Sequence, residues 1–248
     1  MRYFLEIAYK GEKYFGWQRQ PRQITVQEVV EDALTKLLRT PTTVYAAGRT
    51  DTGVHAKKMY AHFDYNEPLH PQLVFRLNSF LPDDVSISKI IPVTENAHSR
   101  FDATERTYHY YVQIGKDPFT FDSSWQVIQE LNMEKMNEAA KLLLGKQDFS
   151  SFARSKTDVK THICTVRFAE WERNGDVLKF TIIADRFLRN MVRAIVGTLV
   201  NVGKERISIP KFSLIIAQKE RKFASVSAPA KGLFLAEVEY PKEIFLNE

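Results

Sequence analysis

The segment "AAGRTDTGVHA", residues 46–56, holds the side chains of this sequence best suited to chemistry. Arg49 and Asp51 stand two residues apart between Gly48 and Gly53, with Thr50, Thr52 and His55 beside them. Small neighbours leave the Asp51 carboxylate accessible, and such a carboxylate serves as a nucleophile, a general base or a metal ligand. The two glycines permit positive φ or a close backbone approach to a ligand. Arg49 carries a guanidinium suited to phosphate or to the plane of a base. The ordinary alternative is a loop in which Asp and Thr only bond their own backbone as Asx and ST turns. The density of polar types and the guanidinium beside the carboxylate weigh against it.

No other motif competes with this loop. The histidines are His55, His62, His70, His98, His109 and His162, without H-x-x-x-H spacing, and Cys164 is the one cysteine. That pattern indicates no metal centre. The chain has no G-x-x-x-x-G-K-[ST], no G-x-G-x-x-G and no G-x-S-x-G, so no nucleotide cofactor and no nucleophile elbow is indicated.

The elements that must hold the loop follow from hydrophobic periodicity. Residues 3–9, "YFLEIAY", alternate as a strand with Tyr3, Leu5, Ile7 and Tyr9 on one face. Thr25 and Glu28 form a capping box, after which Val26, Val29, Val30, Ala33, Leu34, Leu37 and Leu38 repeat at helical spacing until Pro41. "TVYAA" reads as a strand entering the loop and "KMYAHFDY" as the strand leaving it. A helix opened by Pro71 and a strand "DVSISKIIPV" complete a β-α-β-β-α-β rhythm.

The second half repeats that rhythm. It runs through a strand "RTYHYYVQI", a helix capped by Asn132 and a hairpin turning at Asn174-Gly175. A long helix over 186–202, a shorter one around "PKFSLIIAQK" and a last strand "GLFLAEVEY" follow. In the long helix Arg186, Arg189 and Arg193 are spaced three and four apart and share a face, opposite Leu188, Met191, Val192, Ile195 and Leu199. The rhythm predicts an α+β protein of two halves, residues 1–103 and 104–248, with the seam in "VTENAHSRFDATE".

Composition sets the outer limits. With 248 residues and 44% hydrophobic content the chain can bury a core. A single cysteine forms no internal disulfide, which fits a reducing compartment. The segment "MRYFLEIAYKGEKYFGW" is no signal peptide, and no stretch reaches membrane length, so a soluble cytoplasmic protein is expected. The net charge is +5, but residues 146–222 alone hold 16 Lys and Arg against 8 Asp and Glu. Such a concentration is either a solvated basic surface or a face that contacts phosphate.

The loop is one of several blocks that resemble the TruA family of tRNA pseudouridine synthases. "GRTDTGVHA" is similar to its catalytic loop, with Thr52 where the family commonly has alanine. "YKGEKYFGWQRQ" resembles its N-terminal signature, "RFDATERTYHYYV" its tyrosine strand and "KQDFSSFA" the loop after it. "FLRNMVRAIVGTLVNVG" resembles its arginine helix and "APAKGLFLAEVEYP" its C-terminal strand. The blocks stand in family order over nearly the whole chain.

The resemblance implies isomerisation of uridine to pseudouridine in the anticodon arm of tRNA, at positions 38, 39 and 40, without cofactor or metal. It implies two similar β-α-β-rich halves with a largely antiparallel sheet, helices on one side, a central active-site cleft and a homodimer. Asp51 matches the catalytic aspartate, Arg193 the arginine that pairs with it, and Tyr108 the tyrosine that stacks on the target base and is also able to take a proton. Tyr110, by alternation, is a core residue. Arg49 is the candidate to displace the extruded base. His55, Gly16, Trp17 and Gln18 are read as loop-shaping or tRNA-contacting, and Leu233 and Leu235 as walls of the uracil pocket. Arg186, Arg189 and Lys231 are candidate RNA contacts. The alternatives are a non-catalytic RNA-binding protein of the same fold and a glycosylase that would release free uracil.

Overall fold

The computed structural model describes residues 1–155 and 159–246, in two compact units. The first comprises Met1–Thr104 and Leu235–Glu248, the second Glu105–Phe234. Both are α+β, with largely antiparallel strand pairing.

In the first unit β1 (Arg2–Tyr9) lies between β3 (His55–Asp64) and β4 (Val85–Val93), antiparallel to both. The short β2 (Tyr45–Ala46) pairs with β3, and β10 (Leu233–Glu239) follows β3 in the strand order. Leu5 and Ile7 are fully buried, as alternation requires, but so is Phe4 on the opposite face. Its ring meets Tyr240 and Phe245 at centroid distances of 5.1 and 6.1 Å, so the C-terminal segment covers the second face. The first helix, α1 (Val26–Leu38), is capped by the Thr25 side chain, which accepts from Glu28 N, and it ends at Arg39 in the left-handed region, φ 56°. The second, α2 (Leu73–Phe80), covers the sheet edge. Asn78 donates to the Ile87 carbonyl at 2.7 Å and accepts from the Ile87 N–H at 2.8 Å.

The second unit has the strand order β5 (Glu105–Ile114), β9 (Val177–Ala184), β8 (Ile163–Asn174), β7 (Gly145–Asp148), with β6 (Trp125–Val127) parallel on β5. The β8–β9 hairpin turns where the sequence places it, with Gly175 at φ 59°. Its helices are α3 (Met133–Lys141), capped by Asn132, then α4 (Met191–Gly203) and α5 (Ile209–Gln218). β7 reaches only Val166 on β8, and beyond it Asn137 of α3 repeats the clamp of Asn78. It donates to the Trp171 carbonyl at 3.0 Å and accepts from the Trp171 N–H at 2.7 Å.

The arginine helix differs from its expected extent. It starts at Met191, not at 186, because Asn190 sits in the left-handed region, φ 66°. Arg186 and Arg189 therefore lie in the preceding loop and share no helical face with Arg193. The cause is Asp185, whose carboxylate accepts from the N–H groups of Thr165 at 2.8 Å and Arg186 at 2.7 Å. An aspartate satisfying nearby backbone donors favours a turn over helix, and Asn tolerates the left-handed conformation that ends it. The helix proper is buried almost all round, so it is a core helix rather than an amphipathic one.

Candidate active site

The Asp51 loop runs from β2 to β3, and the N-terminal segment 9–17 braces it from beneath. Tyr9 ends β1 and shares a buried 2.8 Å hydrogen bond between its hydroxyl and that of Thr50. The Trp17 N–H donates to the Thr50 carbonyl at 3.3 Å, and the Gly53 N–H to the Tyr14 carbonyl at 3.4 Å. A turn closes the loop as the Val54 N–H donates to the Asp51 carbonyl at 3.1 Å, with Gly53 at φ 78°. The brace is itself tied to the start of α1: Val26 N–H donates to Gly16 O and Gln27 N–H to Trp17 O.

Two glycines of the brace make this contact possible. A Cβ on Gly16, at φ 84°, would lie 2.5 Å from the Thr50 carbonyl oxygen. One on Gly11 would overlap the Val54 carbonyl. Gly53 uses the positive φ that the sequence allows for, but Gly48 does not. Its backbone is outside the left-handed region and a Cβ there would meet open space. The close backbone approach lies in the brace, at Gly11 and Gly16, rather than at Gly48.

Thr50 is buried, Asp51 half-buried, and Arg49 and Thr52 exposed. The Thr52 hydroxyl that replaces the family's alanine thus points to no buried site. His55 is 1% exposed and its Nδ1 accepts from the Gly11 N–H at 3.1 Å. Enclosed and bonded in this way, it acts on the shape of the loop. Trp17 is a core residue, 3% exposed, while Gln18 is exposed.

In the second unit Tyr108 is half-buried on β5 opposite Ile182, with its ring edge-on to Phe187 at 5.0 Å. Tyr110 is fully buried, as alternation predicts, and donates to the Pro229 carbonyl at 2.8 Å. Burial raises its pKa, so its hydroxyl stays protonated.

Arg193 lies in the first turns of α4 and is half-buried. Its Nε donates to the Ala228 carbonyl at 2.8 Å, and the Ala228 N–H donates back to the Arg193 carbonyl at 2.9 Å. The first bond orients the guanidinium through Nε, and the second, between main-chain groups, anchors the segment of Ala228 to α4. The strap that carries Ala228 crosses α4 at Gly197, where a Cβ would overlap the Val226 carbonyl. Neither the strap nor the Gly197 crossing has a signal in hydrophobic periodicity.

The remaining candidates are placed as follows. Leu233 and Leu235 are buried at 6% and 2% exposure, as in a core strand. The Lys231 ammonium donates to the Phe121 carbonyl and lies over the Phe121 ring. Arg186 is half-buried and Arg189 exposed. Among the described residues no group of three or more His, Cys, Asp and Glu is arranged to hold a metal ion, and no helix is long and apolar enough to cross a membrane.

A sequence model of the family described as "tRNA pseudouridine synthase" matches residues 7–102 and 139–241, which takes in the braced loop and the arginine helix. This chain belongs to that family, a family of isomerases. It is similar to proteins named tRNA pseudouridine synthase A from Parabacteroides distasonis and Bacteroides fragilis. Each is 51% identical over 98% of this chain and 98% of its own. A protein of the same name from Azobacteroides pseudotrichonymphae is 48% identical over 99% of both chains.

Proposed function

We propose that this protein isomerises uridine to pseudouridine in the anticodon arm of tRNA, at positions 38, 39 and 40, with Asp51 as the catalytic nucleophile. The reading rests on family membership over nearly the whole chain together with one observation, the braced loop that presents Asp51. A loop whose carbonyls, hydroxyls and glycines are tied to β1 and the start of α1 holds a carboxylate in one position before substrate arrives, and such preorganisation is what catalysis requires.

The reaction breaks the bond between C1′ of the ribose and N1 of uracil and joins C1′ to C5. The base turns in between, C5 gives its proton to solvent, and N1 ends protonated. The Asp51 carboxylate starts this sequence by attacking the sugar, attacking the base or assisting deprotonation of the sugar, and any bond it forms breaks again by the time C1′ is joined to C5 and the product leaves. Arg193 serves as the cation for the carboxylate and Tyr108 as the aromatic surface for the uracil. Arg49, exposed on the same loop, is suited to fill the stack that the extruded nucleotide leaves. Apart from this exchange of one proton with solvent, no atom or electron enters from outside. The reading includes a cytoplasmic homodimer, for which light scattering of the purified protein is the direct check.

The test is tritium release from unmodified tRNA labelled at uracil C5, with wild type and Asp51→Ala side by side. Release by wild type alone, without free uracil, is the expected outcome. Full activity in Asp51→Ala would remove the nucleophile assignment, and free uracil would make the protein a glycosylase.

A further inference from the structure

Part of the positive charge of residues 146–222 gathers around one opening in the second unit. A pocket of about 440 Å³ is lined by Arg154, Lys219, Arg221, Lys222 and His162, with Glu220 the one carboxylate among the lining residues. Glu220 is paired with Lys222 at 2.5 Å. Asp148 approaches Lys219 at 3.7 Å, but its carboxylate already accepts the Ser150 N–H and hydroxyl.

Arg221 is the telling residue. Its two terminal nitrogens donate to the Ala224 carbonyl at 3.2 Å and the Ser227 hydroxyl at 2.9 Å, both neutral acceptors. Burial lowers its pKa and no carboxylate offsets the shift. A half-buried cation without a counter-charge is costly in the unliganded protein, and an arriving anion relieves the cost.

We infer that this pocket is a binding site for the phosphodiester backbone of the RNA substrate, an inference that rests on the function proposed above. Two features favour a stretch of backbone over a single small anion. The pocket, at about 440 Å³, is much larger than one phosphate. Lys219 and Lys222 keep 62% and 67% of their side chains exposed, as groups that track a flexible polyanion do. The site is also joined to the candidate active site of its own unit. Ser227, which accepts from Arg221, accepts from Asn190 at 2.6 Å as well, and it precedes the Ala228 that fixes Arg193.

The test is binding of an unmodified tRNA transcript as a function of salt, by fluorescence anisotropy, using the full-length protein. The Lys219→Glu/Lys222→Glu variant is compared with Lys116→Glu/Lys141→Glu, which changes net charge equally at exposed positions outside the pocket. The pocket variant is expected to bind about tenfold more weakly or worse, and its slope of log affinity against log salt should fall by about 2. The control should stay near wild type. Equal behaviour of the two variants would overturn the inference. A second arm titrates inorganic phosphate against chloride at matched ionic strength. Saturable phosphate binding that is lost in the pocket variant, with tRNA affinity intact, would assign the pocket to a small anion and overturn it too. Turnover of the same transcript by wild type reports on the isomerase reading separately, so failure of one is not mistaken for failure of the other.

Discussion

A Cβ on Gly16 would stand 2.5 Å from the carbonyl oxygen of Thr50, the residue before Asp51. Gly16 also has φ 84°, so an alanine there meets backbone strain and a clash together. Relief has to come from moving either the brace or the loop. Gly16→Ala is expected to cost about 2 kcal/mol of stability and to reduce turnover about 100-fold or more. Thermal unfolding and tritium release measure the two effects. Turnover near wild type in a folded variant would show that the loop does not depend on the brace.

That dependence is only partly legible in the sequence. The strands around the loop follow from alternation, and α1 from Thr25, Glu28 and the apolar spacing. Gly11 and Gly16 stand out in "YKGEKYFGW", but what they approach is set by tertiary packing that no local period encodes. The start of α4 shows the opposite failure. Helical spacing from 186 onward is real, yet the Asp185 carboxylate takes the local N–H groups and Asn190 accepts a left-handed backbone, so the side-chain bonds win over the periodicity. β6 and β7 are too short, at three and four residues, to carry a recognisable alternation.

His62 ties stability to pH. It is 3% exposed, its ring stacks on Tyr45, and its Nδ1 accepts the Ser99 N–H at 3.3 Å and contacts the Ser99 hydroxyl at 2.9 Å. Burial, His98 and Arg2 push its pKa down to about 4, against smaller opposing effects of Asp64 and Asp102. The folded state thus binds this proton less readily than the unfolded chain does. The contribution is complete above the unfolded value of about 6.5 and is lost as pH falls from there towards 4. It is on the order of 3 kcal/mol. Urea midpoints at pH 7 and pH 4.5 should differ more for wild type than for His62→Phe. An equal difference would remove His62 as the group responsible.

Asn78 and Asn137 do the same work in the two units, each exchanging two hydrogen bonds with one residue of a strand whose outer edge has, among the described residues, no partner strand at that point. An uncovered edge offers its N–H and C=O groups to other chains. Asn78→Ala and Asn137→Ala should each cost about 1–3 kcal/mol, and Asn→Asp should be no better, since a carboxylate cannot donate to the carbonyl. Denaturant titration checks the energies, and light scattering on warming checks the expected rise in aggregation. A loss below 0.5 kcal/mol would mean that water replaces the clamp.

Arg193→Lys separates charge from geometry at the candidate arginine of the second unit. Lysine keeps the positive charge, but it has one nitrogen where arginine has three. In the wild-type side chain Nε is held by the Ala228 carbonyl at 2.8 Å, which orients the plane of the terminal nitrogens without using them. A lysine ammonium either bonds that carbonyl or extends past it, and it has no planar fork to orient. Arg193→Lys is therefore expected to bind tRNA within about threefold of wild type while losing about 100-fold or more in single-turnover rate. The Ala228→Gly variant keeps the carbonyl and should retain most of the rate. A near-normal rate in Arg193→Lys would mean that positive charge alone is enough, and the reciprocal bonds to Ala228 would then serve only to anchor the strap on α4.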